Sequence, residues 1–273
     1  MPWRLDPMVM LQRVFDACYA LTYRSLQPGA VDTLLVAHRG VFGHPGVREN
    51  TLQAFDLAVD RGGALEMDLR LTSDRLPVIH HDPSLLRVHG VGARVRETSL
   101  ARLKELAPAV PTLDEVLSRY RGRCPRFFLE LKVYEPAEEL EGLVRQVGRC
   151  LRELDLLDSA AILSLDPRPL DCARRLLPEV PRVYVYTVSP ALAAAYVRDH
   201  RDTGVAGWYF RFPYALRPLL ADRGLLEGVG FVNHHNTLTT FRNLGFRHQF
   251  TDRIDRLVCL NPAPELPRTS SDR

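Results

Sequence analysis

Short apolar runs alternate with amphipathic stretches along most of the chain. Runs with the length of buried strands lie at 34–37, 64–71, 127–133, 160–165, 183–188, 207–212, 230–233 and 249–251. Helical patterns between them begin at Thr51, Thr112, Ala137, Pro169, Pro190, Tyr214 and Thr237. Strands that alternate with helices pair in parallel through right-handed crossovers. Eight such strands in one stretch predict an α/β fold, the TIM (β/α)8 barrel, with a doubly wound sheet as runner-up.

Three segments depart from this alternation. Residues 1–30 contain an amphipathic pattern, which predicts an N-terminal helix packed on the barrel. More than fifty residues separate the second predicted strand from the third, and such an insertion after strand 2 lies where βα loops handle substrates. Residues 261–273 are rich in Pro, Ser and Arg and predict a flexible tail. The barrel domain is therefore expected to span residues 31–260.

Composition excludes disordered, collagen-like and coiled-coil proteins. The chain has 273 residues, 46% of them hydrophobic and 25% charged, which is typical of a globular domain. The 36 basic residues are interspersed with 33 acidic ones, so a net charge of +3 gives no reason to expect nucleic acid as a partner. Five scattered cysteines without a C-x-x-C motif, and no secretory signal pattern, predict a cytoplasmic protein. Contact of the N-terminal helix with a membrane surface is the less favoured alternative.

Carboxylates recur on one face of two predicted strands. Glu66 and Asp68 point to the same side of an apolar strand, and Glu130 repeats the pattern in the next one. Buried carboxylates are costly unless paired, so they predict either a hard divalent cation or salt bridges to arginines. Lys132 shares the face of Glu130 and, with Arg39, suggests a bound phosphate; a simple ion pair with Glu130 is the alternative.

Histidines accompany these charges. His38 ends the first strand beside Arg39, and His80, His81 and Asp82 follow one another in the insertion. Adjacent side chains of an extended segment point to opposite sides, so only one of the two neighbouring histidines can face His38. Two histidines that flank a phosphodiester can take a proton from the nucleophile and give one to the leaving alkoxide. The remaining histidines give no such pattern.

A series of ordered motifs carries a family resemblance: His38-Arg39-Gly40, Glu49-Asn50-Thr51, Glu66-x-Asp68, His81-Asp82-Pro83, Leu86-Arg87 and Glu130-x-Lys132. On these motifs the chain resembles the glycerophosphodiester phosphodiesterase family, in the group of barrel phosphodiesterases that includes phosphatidylinositol-specific phospholipase C. The match is dense over residues 33–133. It is thinner beyond residue 160, where Ser164 and the pair Thr251-Asp252 resemble the family.

The resemblance implies a role for each matching position: His38 and His81 are the catalytic pair, Glu66, Asp68 and Glu130 bind one divalent cation (Ca²⁺ or Mg²⁺), Arg39 and Lys132 bind phosphate, and Glu49 supports the site. His81 is preferred over His80 because the family's histidine immediately precedes an aspartate. The implied reaction is hydrolysis of small glycerophosphodiesters to sn-glycerol 3-phosphate and an alcohol, with the substrate's own hydroxyl attacking first through a cyclic phosphate.

Two alternatives remain open from the sequence. A lysophospholipase D or sphingomyelinase D-like enzyme would share the histidines and carboxylates but accept a lipid. A non-catalytic binding barrel would be favoured by loss of one of these residues, and all are retained. Departures from the family pattern concern the alcohol side of the substrate: a longer loop at 41–48, Phe231 near a missing tryptophan of the seventh strand, and Arg253-Ile254 in place of a proline.

Overall fold

The computed structural model describes residue 14 and residues 31–132, 137–187 and 189–258. Outside the described residues lie the rest of the predicted N-terminal helix, the predicted tail at 261–273, and positions 133 and 188 at the ends of two predicted strands. The expected boundaries of the N-terminal helix, the barrel domain and the tail therefore stay predictions.

Strands and helices alternate as the apolar pattern predicts. The strands are β1 (Leu34–His38), β2 (Ala64–Leu71), β3 (Pro77–Ile79), β4 (Phe127–Leu131), β5 (Ala160–Ser164), β6 (Arg182–Tyr186), β7 (Thr203–Trp208), β8 (Glu227–Gly230) and β9 (His248–Thr251). The helices are α1 (Leu52–Val59), α2 (Leu86–His89), α3 (Leu100–Leu106), α4 (Leu113–Tyr120), α5 (Ala137–Glu153), α6 (Pro167–Leu176), α7 (Pro190–Asp199), α8 (Arg217–Asp222), α9 (His235–Asn243) and α10 (Ile254–Leu257).

Eight of the described strands close into a parallel barrel. Their order around it is β1, β9, β8, β7, β6, β5, β4 and β2, and β2 pairs again with β1. Closure brings His38 opposite Glu66, and Asp68 opposite Glu130. Because parallel strands all end at the same rim, residues from distant parts of the chain meet there. The TIM barrel prediction is confirmed.

Alternate side chains divide the strands into an inner and an outer face. The outer face packs under the helices in the larger apolar core. The inner face forms a second, smaller core of buried residues: Val36, Ala64, Phe128, Ala161, Leu163, Val183, Ala206 and Phe250. Side chains two residues further along β1, β2, β4 and β9 point to the same inner side, and these are His38, Glu66, Glu130 and Asp252. The apolar inner core therefore supports a charged layer at the C-terminal rim.

The insertion after the second strand has a small core of its own. β3 pairs antiparallel with the upper end of β2, where Leu71 lies opposite Pro77. Apolar residues from β3 and the segments that follow pack together beside the barrel: Val78, Leu85, Val95, Leu103, Ala107 and Val110. The backbone N–H of His80 donates to the Asp68 carbonyl at 2.8 Å. This bond holds the histidine pair at the level of the charged layer.

Two strands lie nearer the N-terminus than the apolar runs predict. β7 covers Thr203–Trp208, whereas the predicted strand covered 207–212, of which Tyr209–Arg211 is a 3₁₀ turn. The interior glycine Gly204 explains the error, because its Cβ position would lie 2.0 Å from the Leu226 carbonyl oxygen. Close strand approach requires glycine there, although glycine in a sequence more often marks the end of a strand. β8 is displaced in the same way and contains Gly228, whose Cβ would meet Phe250.

The first residue of several helices is determined by a capping side chain rather than by the apolar pattern. Thr51 caps α1 by accepting from the Ala54 N–H, and Thr112 forms a capping box with Glu115 at α4. α6 begins at Pro167, two residues before the predicted start, because Asp166 caps it. None of the helices in the described part of the chain combines the length and apolar character needed to cross a bilayer.

The turn after β1 depends on a glycine, and we predict that it tolerates no side chain. Gly40 has φ +80°, and a Cβ there would lie 2.8 Å from the Ala54 backbone, whereas Gly43 has φ +86° and no described atom within 4 Å. Gly43→Ala should cost about 1–2 kcal/mol of strain, or about 2–4 °C in Tm. Gly40→Ala adds overpacking of about 1–3 kcal/mol and should lower Tm clearly further. Equal Tm values for the two variants in thermal denaturation would contradict this account.

Candidate active site

Three buried carboxylates converge on β2 and β4, at the level where β1 ends. Glu66, Asp68 and Glu130 each offer an oxygen within 4.8 Å of the others. Their positions follow from alternation along β2 and from the pairing of β2 with β4, as the sequence predicts. Burial and the neighbouring charge of Asp68 raise the pKa of Glu66. The cluster therefore holds more negative charge than its own surroundings readily accommodate.

Two cations and an amide partly offset this charge. Lys132 forms an ion pair with Asp68 at 2.7 Å and a second one with Glu130. The Arg39 guanidinium lies 3.1 Å from the other Asp68 oxygen, which also accepts from the Asn50 side-chain amide at 2.8 Å. Burial alone would raise the pKa of Asp68, but the charges of Lys132 and Arg39 lower it below its usual range.

The residues of the cluster fit a divalent cation. One oxygen of Glu66 accepts the Arg39 backbone N–H at 3.0 Å, but the other is buried without a hydrogen-bond partner among the described residues. Three carboxylates are the oxygen donors that Ca²⁺ and Mg²⁺ prefer. An unpartnered buried oxygen in such a set is a free ligand position. Salt bridges to Arg39 and Lys132, the sequence-based alternative, are present as well, but they leave this oxygen unsatisfied.

His38 is oriented by a carboxylate from the opposite end of the chain. Its Nδ1 lies 2.7 Å from Asp252, which follows β9. Asn233, after β8, fixes this aspartate: its amide donates to the carboxylate at 3.1 Å, and its oxygen accepts the Asp252 N–H at 2.9 Å. Burial would lower the pKa of His38, but the Asp252 hydrogen bond and the nearby Glu66 charge raise it to about 9. With Nδ1 engaged, Nε2 is the nitrogen available for proton transfer.

The neighbouring histidines of the insertion occupy different environments. His81 is one-third exposed, and its Nδ1 lies 2.6 Å from Asp82. His80 is 2% exposed, packs edge-to-face on His89, and has a pKa lowered to about 4, chiefly by burial. Of the two, it is His81 that faces the cavity shared with His38. The extended segment therefore separates them as alternation predicts.

One cavity of about 220 Å³ joins these groups, and its two sides differ. The charged side is formed by β1, β2, β4, the insertion after β3 and the residues after β9. It contains His38, Arg39, Glu66, His81, Glu130, Lys132 and Asp252. The opposite side, from β5 to β8, is mostly apolar and contains Leu163, Leu165, Val185, Ala206, Trp208 and Phe231. Such a site suits a ligand with a charged centre and an apolar or neutral substituent.

A comparison with protein families agrees with this arrangement. The family model described as the glycerophosphoryl diester phosphodiesterase family matches residues 38–255, which include every candidate site residue. The chain belongs to this family.

Relatives and solved structures extend the comparison. The Bacillus subtilis protein YhdW is 31% identical over 163 residues, covering 55% of this chain and 65% of that protein. A glycerophosphodiester phosphodiesterase of the same bacterium is 28% identical over 173 residues, covering 55% and 58%. The chain thus spans about three-fifths of the length of these relatives. An Oleispira antarctica phosphodiesterase, solved in complex with the product sn-glycerol-3-phosphate, is 25% identical with a TM-score of 0.70, covering 82% of this chain and 94% of that one.

The structure brings together all the candidate residues of this family member, and it adds others. Glu49 contacts Arg39 at 3.1 Å and lies outside the carboxylate cluster. Side chains for which the sequence suggested no role also reach the site: Asn50, Arg87, Trp208, Asn233 and Asp252. Three of them, Asn50, Arg87 and Asp252, stand at positions of the resemblance, so position in a motif was the available signal. Trp208 is the last residue of β7 and Asn233 follows β8, two strands whose ends the apolar pattern misplaced.

Asn50 provides a test of the electrostatic balance. Its backbone has φ +56° and its amide donates to Asp68, so Asn50→Gly relieves strain while it removes a hydrogen bond to a charged group worth about 1.5–3 kcal/mol. Asn50→Asp instead places a carboxylate against Asp68. We expect Asn50→Asp to destabilise the metal-free protein more than Asn50→Gly in urea denaturation at pH 7, because repulsion is added to the lost bond. A smaller loss for the aspartate would contradict the proposed role of Asn50.

Proposed function

We propose that the protein is a phosphoric diester hydrolase that cleaves glycerophosphodiesters to sn-glycerol 3-phosphate and an alcohol. The observation that carries the proposal is the pair His38 and His81, each backed by a carboxylate at Nδ1, in one cavity with the three-carboxylate cluster. Family membership and the product bound to the Oleispira relative support the same substrate class. A cytoplasmic location stays a prediction from the sequence.

In the proposed first step, the glycerol hydroxyl beside the phosphate attacks phosphorus. A P–O bond forms to this oxygen while the P–O bond to the leaving alcohol breaks. One of the two histidines accepts the proton of the attacking hydroxyl, and the other donates a proton to the leaving oxygen. Water then opens the cyclic phosphate with the proton transfers reversed. Arg39 and Lys132 hold the anionic phosphoryl group, whose charge increases as the fifth bond forms.

Glu66, Asp68 and Glu130 would hold a divalent cation. When bound, it supplies positive charge that polarises a phosphoryl oxygen. The chain's own contribution is to present three buried carboxylates at a fixed spacing, with the Lys132 ammonium 2.7 Å from one oxygen of Asp68. Either Ca²⁺ or Mg²⁺ is compatible with an all-oxygen donor set.

A lipid substrate is the second candidate, and the apolar side of the cavity favours it. Leu165 lines the cavity and is also 42% exposed, so the apolar surface continues from the interior to the rim. An acyl chain of a lysophospholipid could extend over this surface while the phosphate occupies the charged side.

The deciding experiment is a substrate panel with metal control. Protein stripped of metal is supplied with Ca²⁺ or Mg²⁺ and given glycerophosphocholine, glycerophosphoethanolamine, lysophosphatidylcholine or sphingomyelin. Release of glycerol 3-phosphate supports the first proposal, and release of lysophosphatidic acid or ceramide phosphate supports the second. Glu130→Gln should weaken metal binding by calorimetry and lower hydrolysis together, since it removes one charged ligand. No hydrolysis of any diester with either ion would instead favour the non-catalytic binding barrel.

The two neighbouring histidines should separate in kinetics. His81→Ala removes a general acid–base group, which is worth about 10²–10⁴-fold in kcat. His80→Ala leaves the cavity intact and should lower Tm, because it empties a buried site against His89. kcat at saturating metal and Tm are measured for both variants. Equal kcat losses in the two variants would overturn the assignment of His81.

A further inference from the structure

Arg87, in the short helix α2 of the insertion, binds two carboxylates at once. Its guanidinium donates to both oxygens of Asp82, at 2.6 and 3.1 Å, and to both oxygens of Glu49, at 2.6 and 3.0 Å. An isolated surface ion pair contributes little, because solvent screens it and two flexible side chains must be ordered. A guanidinium that binds two carboxylates in fork geometry restricts both of them at once.

The two carboxylates belong to opposite halves of the candidate site. Asp82 holds Nδ1 of His81 at 2.6 Å and is part of the insertion. Glu49 precedes α1 and accepts from Arg39 at 3.1 Å, and so belongs to the turn that follows β1. Arg87 is therefore the bridge in an ordered series of charges from His81 to Arg39.

This bridge determines the geometry of the exposed histidine. The Arg70 side chain donates to the backbone carbonyl of His81 at 2.8 Å, but that bond fixes only the backbone. The ring orientation depends on Asp82, and the Asp82 carboxylate in turn is held by Arg87 on both oxygens. Without the guanidinium, Asp82 could rotate away and His81 could turn out of the cavity. A misplacement of about 1 Å of a catalytic group can cost about 10²-fold in rate.

We propose that Arg87 is a positioning residue, which fixes the His81 ring through Asp82 and couples the insertion to Arg39 through Glu49. It contacts no reacting atom itself. The inference rests on the proposed function, because it assigns Arg87 a kinetic role through His81.

A matched control is available between α1 and α4, where neither residue of the pair lines the cavity. Arg119 binds both oxygens of Asp56 at 2.9 Å and is 47% exposed, against 50% for Arg87. Arg87→Met and Arg119→Met thus each remove one exposed fork-type arginine of similar burial. We expect Arg87→Met to lower kcat about 10- to 100-fold and Arg119→Met to leave kcat unchanged, with the Tm of both variants well above the assay temperature. Equal kcat values for the two variants would overturn the proposal.

A double-mutant cycle separates positioning from general weakening of the fold. If Arg87 acts through His81, Arg87→Met should change kcat less than two- to threefold in the His81→Ala background. Multiplication of the two single losses would overturn the proposal, since the two residues would then act independently. Arg87→Lys keeps the charge without the fork, so its kcat should lie between those of the wild type and Arg87→Met.

A measurement without substrate distinguishes failure of this inference from failure of the proposed function. In ¹H–¹⁵N spectra of histidine-labelled protein, the His81 signals are assigned by their loss in His81→Ala. We expect the wild type to show one ring tautomer with Nδ1–H, and Arg87→Met to show a mixture, whereas Arg119→Met should match the wild type. If the wild type hydrolyses no diester but this difference is seen, positioning stands and the proposed function fails. An unchanged His81 tautomer in Arg87→Met would overturn the positioning role itself.

Discussion

Burial of three carboxylates on two adjacent strands is the constraint on which the rim of this barrel depends. Carboxylates in a low-dielectric interior are stable only with compensating charge or hydrogen bonds. The turn after β1 supplies both, and its backbone is strained, since Arg39 has φ +59°. The Arg39 backbone N–H donates to Glu66, and its guanidinium pairs with Asp68. Gly40 then lets the chain pass close over Ala54. The conformation of this loop is thus a consequence of the charges beneath it.

Charge compensation extends beyond the direct partners of the carboxylates, because one of the two cations that pair with Asp68 also has a carboxylate partner outside the cluster. Arg39 also binds Glu49, which binds Arg87, which binds Asp82 beside His81. Opposite charges therefore alternate from the buried cluster outward to the exposed edge of the insertion. This series explains why the insertion, which has its own small core, is joined to the barrel by polar contacts at the site. The same contacts therefore balance the buried charge and position the proposed catalytic histidine.

The sequence predicted the parts of this arrangement that depend on local periodicity. Glu66 and Asp68 two residues apart on an apolar strand, and His80 beside His81 in an extended segment, needed only the alternation of side chains. The partner of His38 could not be found in that way, because Asp252 lies 214 residues away and meets it only when β9 closes against β1. Strand ends at β7 and β8 were also missed, since glycines there serve close packing rather than chain reversal. Long-range closure and backbone proximity leave no periodic trace in a single sequence.

The cavity has a charged side and an apolar side because buried charges can be paired only over short distances. A buried charge must be paired within a few ångströms, so the charged positions of the rim occupy neighbouring strands, from β9 through β1 and β2 to β4. Among the described residues, the strands from β5 to β8 contribute no charged side chain to the cavity. At or near their ends the cavity is lined by residues such as Leu165, Val185 and Trp208. Substitutions there change the shape and polarity of the wall without disturbing the charge balance that holds the reacting groups. In this barrel the charged half is therefore constrained by the pairing of its buried charges. The apolar half is free to vary and, on the proposed function, would determine which substituent of the phosphodiester is accepted.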